Sequence, residues 1–215
     1  MEVLPEPPDV ETLVRLGPLV RTLPAGTRLD RIFRAGGDHP GRWNEFRHFG
    51  PLSGRFDHHL ADPDTGASRD QARGILYAAT GPRRTATCLA EVFQVGATID
   101  RFSNAPVLTS FALARAVQLL DLTGLYATRI GASTAIHSGS RFVAQAWSRR
   151  FHAAFESVDG LLYCSSMYAN APAIALYERA IDAMPEAPHV HRPLGDPRLA
   201  NSLRLAAAPI GYLVI

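Results

Sequence analysis

Apolar and polar positions alternate or cluster here in short stretches, with no long repeat. Residues 9–22, "DVETLVRLGPLVRT", carry helical spacing interrupted near Gly17-Pro18, and "TRLDRIFRA" alternates as a strand over about 28–35. Residues 36–72 are rich in Gly, Pro, Asp and His and predict one long irregular segment. The strand "GILYAA" follows, then a Gly-Pro break and the helix "RRTATCLAEVFQ". "PVLTSFALA" and "AVQLLDLT" predict two strands joined at Arg115 by a hairpin or a bend.

The clearest helix is "GSRFVAQAWSRRFHAAF", in which Val143, Trp147, Phe151, Ala154 and Phe155 recur with helical period. The strand "LLYCSS" comes next, and "PAIALYERA" fits a strand or a helix. "MPEAPHVHRPLGDP" predicts a connector, "RLANSLRLAA" a helix and "IGYLVI" a closing strand. Strands and helices mix without βαβ regularity, so the predicted class is α+β. The predicted layout is one domain over 1–215, with a helical extension over 1–26, a core over about 27–180 and a C-terminal connector, helix and strand over 181–215.

Composition narrows the chemistry. The charged fraction is 20% and the net charge +2, so bulk charge gives no reason to expect direct nucleic-acid binding. All 22 basic residues other than His are Arg, which excludes Schiff-base lysine chemistry and any phosphate loop that needs Lys. Any phosphate contact therefore falls to guanidinium groups, which bind oxyanions as bidentate forks. GC-rich coding explains most of that bias. No apolar run reaches the roughly eighteen residues of a membrane span. The acidic, Pro-rich start "MEVLPEPPDV" is unlike a secretory signal, and the two cysteines form no disulfide framework. The expectation is a cytoplasmic protein that does not engage membranes.

Familiar catalytic motifs are missing: no G-x-G-x-x-G, Walker loop, G-x-S-x-G or H-E-x-x-H occurs. His58-His59 and "HVH" at 189–191 have no acid or Cys partner at useful spacing, so no metal is expected. Cys164, in an apolar strand, reads as packing rather than a nucleophile. Glu91 is more informative. On a helical wheel Cys88, Leu89, Val92 and Phe93 span an apolar arc of roughly 140°, and Glu91 lies about 60° beyond its edge. Alone, it reads as a boundary acid reaching water or pairing with Arg84. Its company is Tyr77 on the preceding strand, Arg55 in "SGRFD" and Ser165-Ser166 in "YCSS". Together these offer an oxyanion fork, an aromatic platform, a carboxylate and a hydroxyl.

The ordered string "RIFR…GRFD…ILYAA…CLAEVF…QAW…DGLLYCSS" resembles the RES domain, named for Arg, Glu and Ser, from about Arg31 to about residue 180. The resemblance implies an ADP-ribosyltransferase-like fold, a mixed or antiparallel sheet flanked by helices. It also implies a bacterial toxin paired with an Xre-like helix-turn-helix antitoxin. The family consumes NAD+ as substrate, some members by phosphorolysis, and part of it is thought to transfer ADP-ribose to a protein. The acceptor here is left as phosphate, water or a protein side chain. A non-catalytic partner of a DNA-binding regulator is the third reading. Carried over residue by residue, the family's strand Tyr falls on Tyr77, its helix Glu on Glu91 and its Ser on Ser165, with Ser166 the alternative. Its second Arg falls on Arg55, with Arg42 in "GRWN" competing. Its first falls on Arg31 or Arg34; Arg31 is favoured because Ile-aromatic follows it. The insert "TGPRRTAT" and the 36–72 loop exceed compact relatives in length.

Overall fold

The computed structural model describes residues 4–215. Among the described residues eleven strands form: β1 (Val20–Leu23), β2 (Arg28–Arg34), β3 (Arg47–Gly50), β4 (Arg69–Ala79), β5 (Thr98–Ile99), β6 (Pro106–Ala112), β7 (Val117–Asp121), β8 (Gly160–Cys164), β9 (Pro172–Tyr177), β10 (Val190–Pro193) and β11 (Leu213–Val214). The helices are α1 (Val10–Leu16), α2 (Arg84–Val92), α3 (Tyr126–Arg129), α4 (Ala135–Ser138), α5 (Arg141–Ala154) and α6 (Ala200–Ala207). Nine strands build one sheet in the order β1-β7-β8-β9-β4-β2-β6-β10, with β3 also on β4. Only β7–β8 runs parallel in this sheet, so the fold is α+β around a large mixed sheet.

Alternation along the strands sorts the core. On β8, Leu161 and Tyr163 face the layer of α5, with Trp147 and Phe151, while Leu162 faces Leu119, Ile174 and Leu176 on the other side. A third cluster joins Cys88 and Leu89 of α2, and Phe93 just after it, to Ile32, Leu108 and Leu203. Trp147 is fully buried and donates from Nε1 to Pro5 O at 2.7 Å, tying the N-terminal segment to α5.

Several elements differ from the sequence-based expectation. The irregular stretch 36–72 contains β3 and the start of β4. β6 and β7 are neither a hairpin nor one bent strand: β6 pairs β2 and β10, whereas β7 pairs β1 and β8. Residues 20–23, read as part of a helical extension, form the edge strand β1. The Pro-rich connector supplies the opposite edge, β10, where Pro193's missing N–H is tolerated. The closing segment pairs with β5 in a separate two-stranded parallel sheet. "PAIALYERA" divides into β9 and a 3₁₀ turn over Glu178–Ala183.

The feature that shapes the site is one edge of β4. β2 meets it at Asp30↔Ala79 and β3 meets it at Arg47↔Ile75. Between those points the described residues give Leu76–Ala78 no strand partner on that side, so the two neighbours splay apart opposite Tyr77. The β3–β4 pairing is itself irregular between Arg47 and Phe49, on the far side of Ile75.

Candidate active site

A cavity of about 380 Å³ opens at this split. Its walls include Arg31 from β2, Arg47 from β3, Tyr77 from β4, Glu91 from α2, Tyr163 from β8 and Ser53–Arg55 from the loop between β3 and β4. Four guanidinium groups (Arg31, Arg47, Arg55 and Arg141) line it beside a single carboxylate, Glu91. Burial lowers Arg31 to about 10, leaving it charged at neutral pH. Arg55 is lowered by burial and then by the nearby Arg141. Arg55 and Arg141 therefore repel one another in a partly desolvated space that also penalises Arg31, and an anion there offsets both penalties.

Glu91 does not pair with Arg84. Arg84 Nε donates to Asp30 Oδ1 at 2.8 Å, and Thr85 Oγ1 donates to Asp30 Oδ2 at 2.5 Å. Those bonds tether the start of α2 to β2 through a buried carboxylate and account for the polar part of "TGPRRTAT". Glu91 instead accepts from Ser165 Oγ at 2.5 Å, across 74 positions of sequence. It sits in the last turn of α2, where the helix dipole disfavours a carboxylate by about 0.3–1 kcal/mol.

Ser165 is itself fully buried. Its Oγ also accepts from the backbone N–H of Met167 at 3.2 Å and Tyr168 at 3.1 Å, so the hydroxyl proton is aimed at Glu91. Ser166, not Ser165, lines the cavity. Tyr77 presents its ring to the cavity while its Oη accepts from Phe56 N–H at 3.1 Å. Gly54 packs against that ring: a Cβ there would lie 2.7 Å from Tyr77 Oη.

The loop carrying Arg55 is held from two sides. From α5, Gln145 Nε2 donates to the carbonyls of Leu52 (2.7 Å) and Gly54 (2.8 Å), and Ser148 Oγ donates to Phe56 O at 2.7 Å. From below, buried Asp57 accepts from Leu52 N–H at 2.6 Å and from Arg47 Nη2 at 2.7 Å, and contacts His59 Nδ1. Arg55 Nη1 donates to Gly139 O at 2.8 Å. Arg31 Nη1 donates to Glu45 O at 3.1 Å.

The competing arginines separate. Arg34 lies off this cavity, donating to Ser103 O at 3.2 Å, and lines a second one described below. Arg42 lines neither cavity. The sequence reading missed Arg47, Arg141, Gln94 and Tyr163. Arg141 sits just after the Ser140 cap of α5, and its Nη2 donates to Gln94 Oε1 at 2.6 Å. Only the position of "SRF" at a helix start could have flagged it.

The histidines also gain a partner the linear spacing hid. Glu178 receives His58 Nε2 at 3.3 Å, His152 Nε2 at 2.7 Å and Gly74 N–H at 2.9 Å. The trio has metal-ligand residue types. However, the two rings stack 4.5 Å apart at 25°, so their in-plane lone pairs run alongside each other, and Arg179 Nη2 lies 3.1 Å from His152 Nε2. That geometry suits a hydrogen-bonded ionic network better than a coordination sphere. Burial raises the Cys164 thiol, which keeps it protonated and weakly nucleophilic.

No protein-family model and no curated protein matches the chain. Among the described residues no helix is long and apolar enough to cross a membrane. A crystal structure described as the M. tuberculosis MbcT-MbcA toxin-antitoxin complex contains a similar chain. The likeness has a TM-score of 0.53 at 15% identity and covers 86% of this chain and 92% of that one. The resemblance read from the residues thus holds at the level of fold: this chain folds like a chain of a toxin–antitoxin complex.

Proposed function

We propose that the protein is the toxin of a toxin–antitoxin pair and that it cleaves the nicotinamide–ribose bond of NAD+. The observation that carries this reading is the Ser165–Glu91 hydrogen bond at the wall of a cavity whose other charged groups are all guanidinium. A dinucleotide brings two phosphate charges and a ribosyl centre that becomes cationic as nicotinamide leaves. The cavity offers cations for the first and one fixed carboxylate for the second.

Arg31 and Arg55 hold the pyrophosphate by charge-assisted hydrogen bonds. The Tyr77 ring covers the nicotinamide ribose and excludes water. As the C1′–N bond breaks, its electron pair leaves on neutral nicotinamide and C1′ becomes oxocarbenium-like. Glu91 stabilises that charge and hydrogen-bonds the ribose hydroxyls, an interaction strongest in the transition state. Ser165, sealed behind the wall, acts as a positioning residue that fixes the Glu91 carboxylate. The incoming nucleophile, phosphate or water, forms the new bond at C1′. The fold likeness supports a protein antitoxin as partner, of the Xre-like class in this reading, in which the protein acts on NAD+ in the cytoplasm.

The rival reading is a protein ADP-ribosyltransferase, in which a side chain of a cellular target is the nucleophile. Incubating the pure protein with NAD+, with and without phosphate, separates them. Rapid bulk NAD+ loss without any added protein supports degradation, and a phosphate-dependent ADP-ribose 1-phosphate product identifies phosphorolysis. Slow loss with ADP-ribose appearing on one cell protein overturns it in favour of transfer. No turnover and no growth defect on expression overturns both in favour of a non-catalytic partner of a DNA-binding regulator.

A further inference from the structure

A second cavity, of about 640 Å³, adjoins the first and shares Arg31, Phe33 and Arg47 with it. The segment between β2 and β4, read from the sequence as an overlong loop, supplies most of its wall. The chemistry changes across the neck. Beyond the two shared arginines a third, Arg34, joins a more aromatic and apolar lining with Phe46, His48, Phe49 and Leu52, and the carboxylates Glu45 and Asp70.

Phe49 is the notable member. It is 41% exposed, and among the described residues its ring stacks on no other aromatic, whereas the Phe33 ring is taken by His191 at 5.9 Å. An unpartnered ring held on a strand at a cavity wall is a platform awaiting a planar group. Carboxylates beside such a platform suit the vicinal hydroxyls of a ribose.

We propose that this second cavity binds the adenosine half of the dinucleotide, with Phe49 stacking on the adenine, and that it makes the enzyme select a dinucleotide over a mononucleotide. The proposal rests on the NAD+-cleaving reading above. It places the pyrophosphate, held by Arg31 and Arg55, at the neck, where Arg47 adds a third guanidinium. Arg47 is fixed there by its bond to Asp57.

The test compares NAD+ with nicotinamide mononucleotide, which has the same scissile bond but no adenosine. The wild-type protein should favour NAD+ in kcat/KM by on the order of tenfold or more, as expected for one stacked base. In Phe49→Ala that preference should fall about tenfold, while Phe49→Tyr, which keeps the ring, should retain it. Equal loss on both substrates in Phe49→Ala, or an unchanged preference, overturns the proposal while leaving NAD+ cleavage standing. A wild-type protein that consumes neither substrate overturns the parent reading and this one with it.

Discussion

Ser165 Oγ donates to Glu91 Oε1 at 2.5 Å, joining the end of β8 to the last turn of α2 across 74 positions. With two backbone N–H groups occupying the serine's acceptor side, its proton has one direction to point. The carboxylate is thereby aimed before any substrate arrives, the preorganisation on which electrostatic catalysis depends.

Ser165→Ala should therefore lower kcat more than it raises KM. Losing a buried hydroxyl that serves two N–H groups should also cost about 1–3 kcal/mol of stability. Steady-state kinetics with a denaturation curve checks both. Ser166→Ala, which leaves the Glu91 bond intact, should have the smaller effect on kcat.

Gly54→Ala should damage the site without touching a charged group. The new Cβ meets Tyr77 Oη at 2.7 Å, so either the ring or the Arg55 loop must move. Because the loop is pinned by Gln145 and Ser148, the ring is expected to yield. Turnover should fall by an order of magnitude or more, as misplacement by about 1 Å does elsewhere. An unchanged rate would show that Tyr77 has no role in positioning substrate.

The arginines should sort by position. Arg55→Lys keeps the charge but loses the planar fork and should reduce kcat/KM about 10–100-fold. Arg42→Ala should stay near wild type, since Arg42 lines neither cavity. Side-by-side kinetics decides the assignment that the sequence left open.

Stability should fall as the solution is acidified. Burial lowers His58 to about 4, from an ordinary value of 6.5, so the folded state holds it neutral while the unfolded chain binds a proton. The stability tied to it is complete above about pH 6.5 and drains away as pH falls toward 4, by roughly 2–4 kcal/mol. Glu178 is half-buried, yet bonds from His152, His58 and Gly74 hold it below the carboxylate range, so its share is lost at still lower pH. Denaturant midpoints from pH 7.5 to 4 check this; His58→Phe should flatten the slope between 6.5 and 4.

Much of this was legible in the residues, for physical reasons. β2, α2 and α5 stand out because their apolar positions repeat with the period of the element they form, and β4 and β8 because each carries a short apolar run. Tyr77 and Glu91 stood out because each sits in or beside such an element. β3 and β10 did not, because short edge strands in Gly-, Pro- and His-rich segments are defined by distant partners, β4 and β6, rather than by their own pattern. Arg47, Arg141 and the His58–His152–Glu178 network were hidden for the same reason: their meaning lies in contacts across about 10 to 120 positions. Ser165 was recognisable as a hydroxyl of the same site, read as orienting the ribose or the nucleophile, but its bond to Glu91 and its sealed position behind the cavity wall required the fold.

The most direct measurement is NAD+ consumption by purified wild-type protein and by Glu91→Gln. The amide keeps the shape of the carboxylate and still accepts from Ser165, and it removes a charge that opposes the α2 dipole. The variant should fold with equal or slightly higher stability and lose about 10²–10³ of the rate. A folded Glu91→Gln protein that consumes NAD+ at near the wild-type rate would contradict the account.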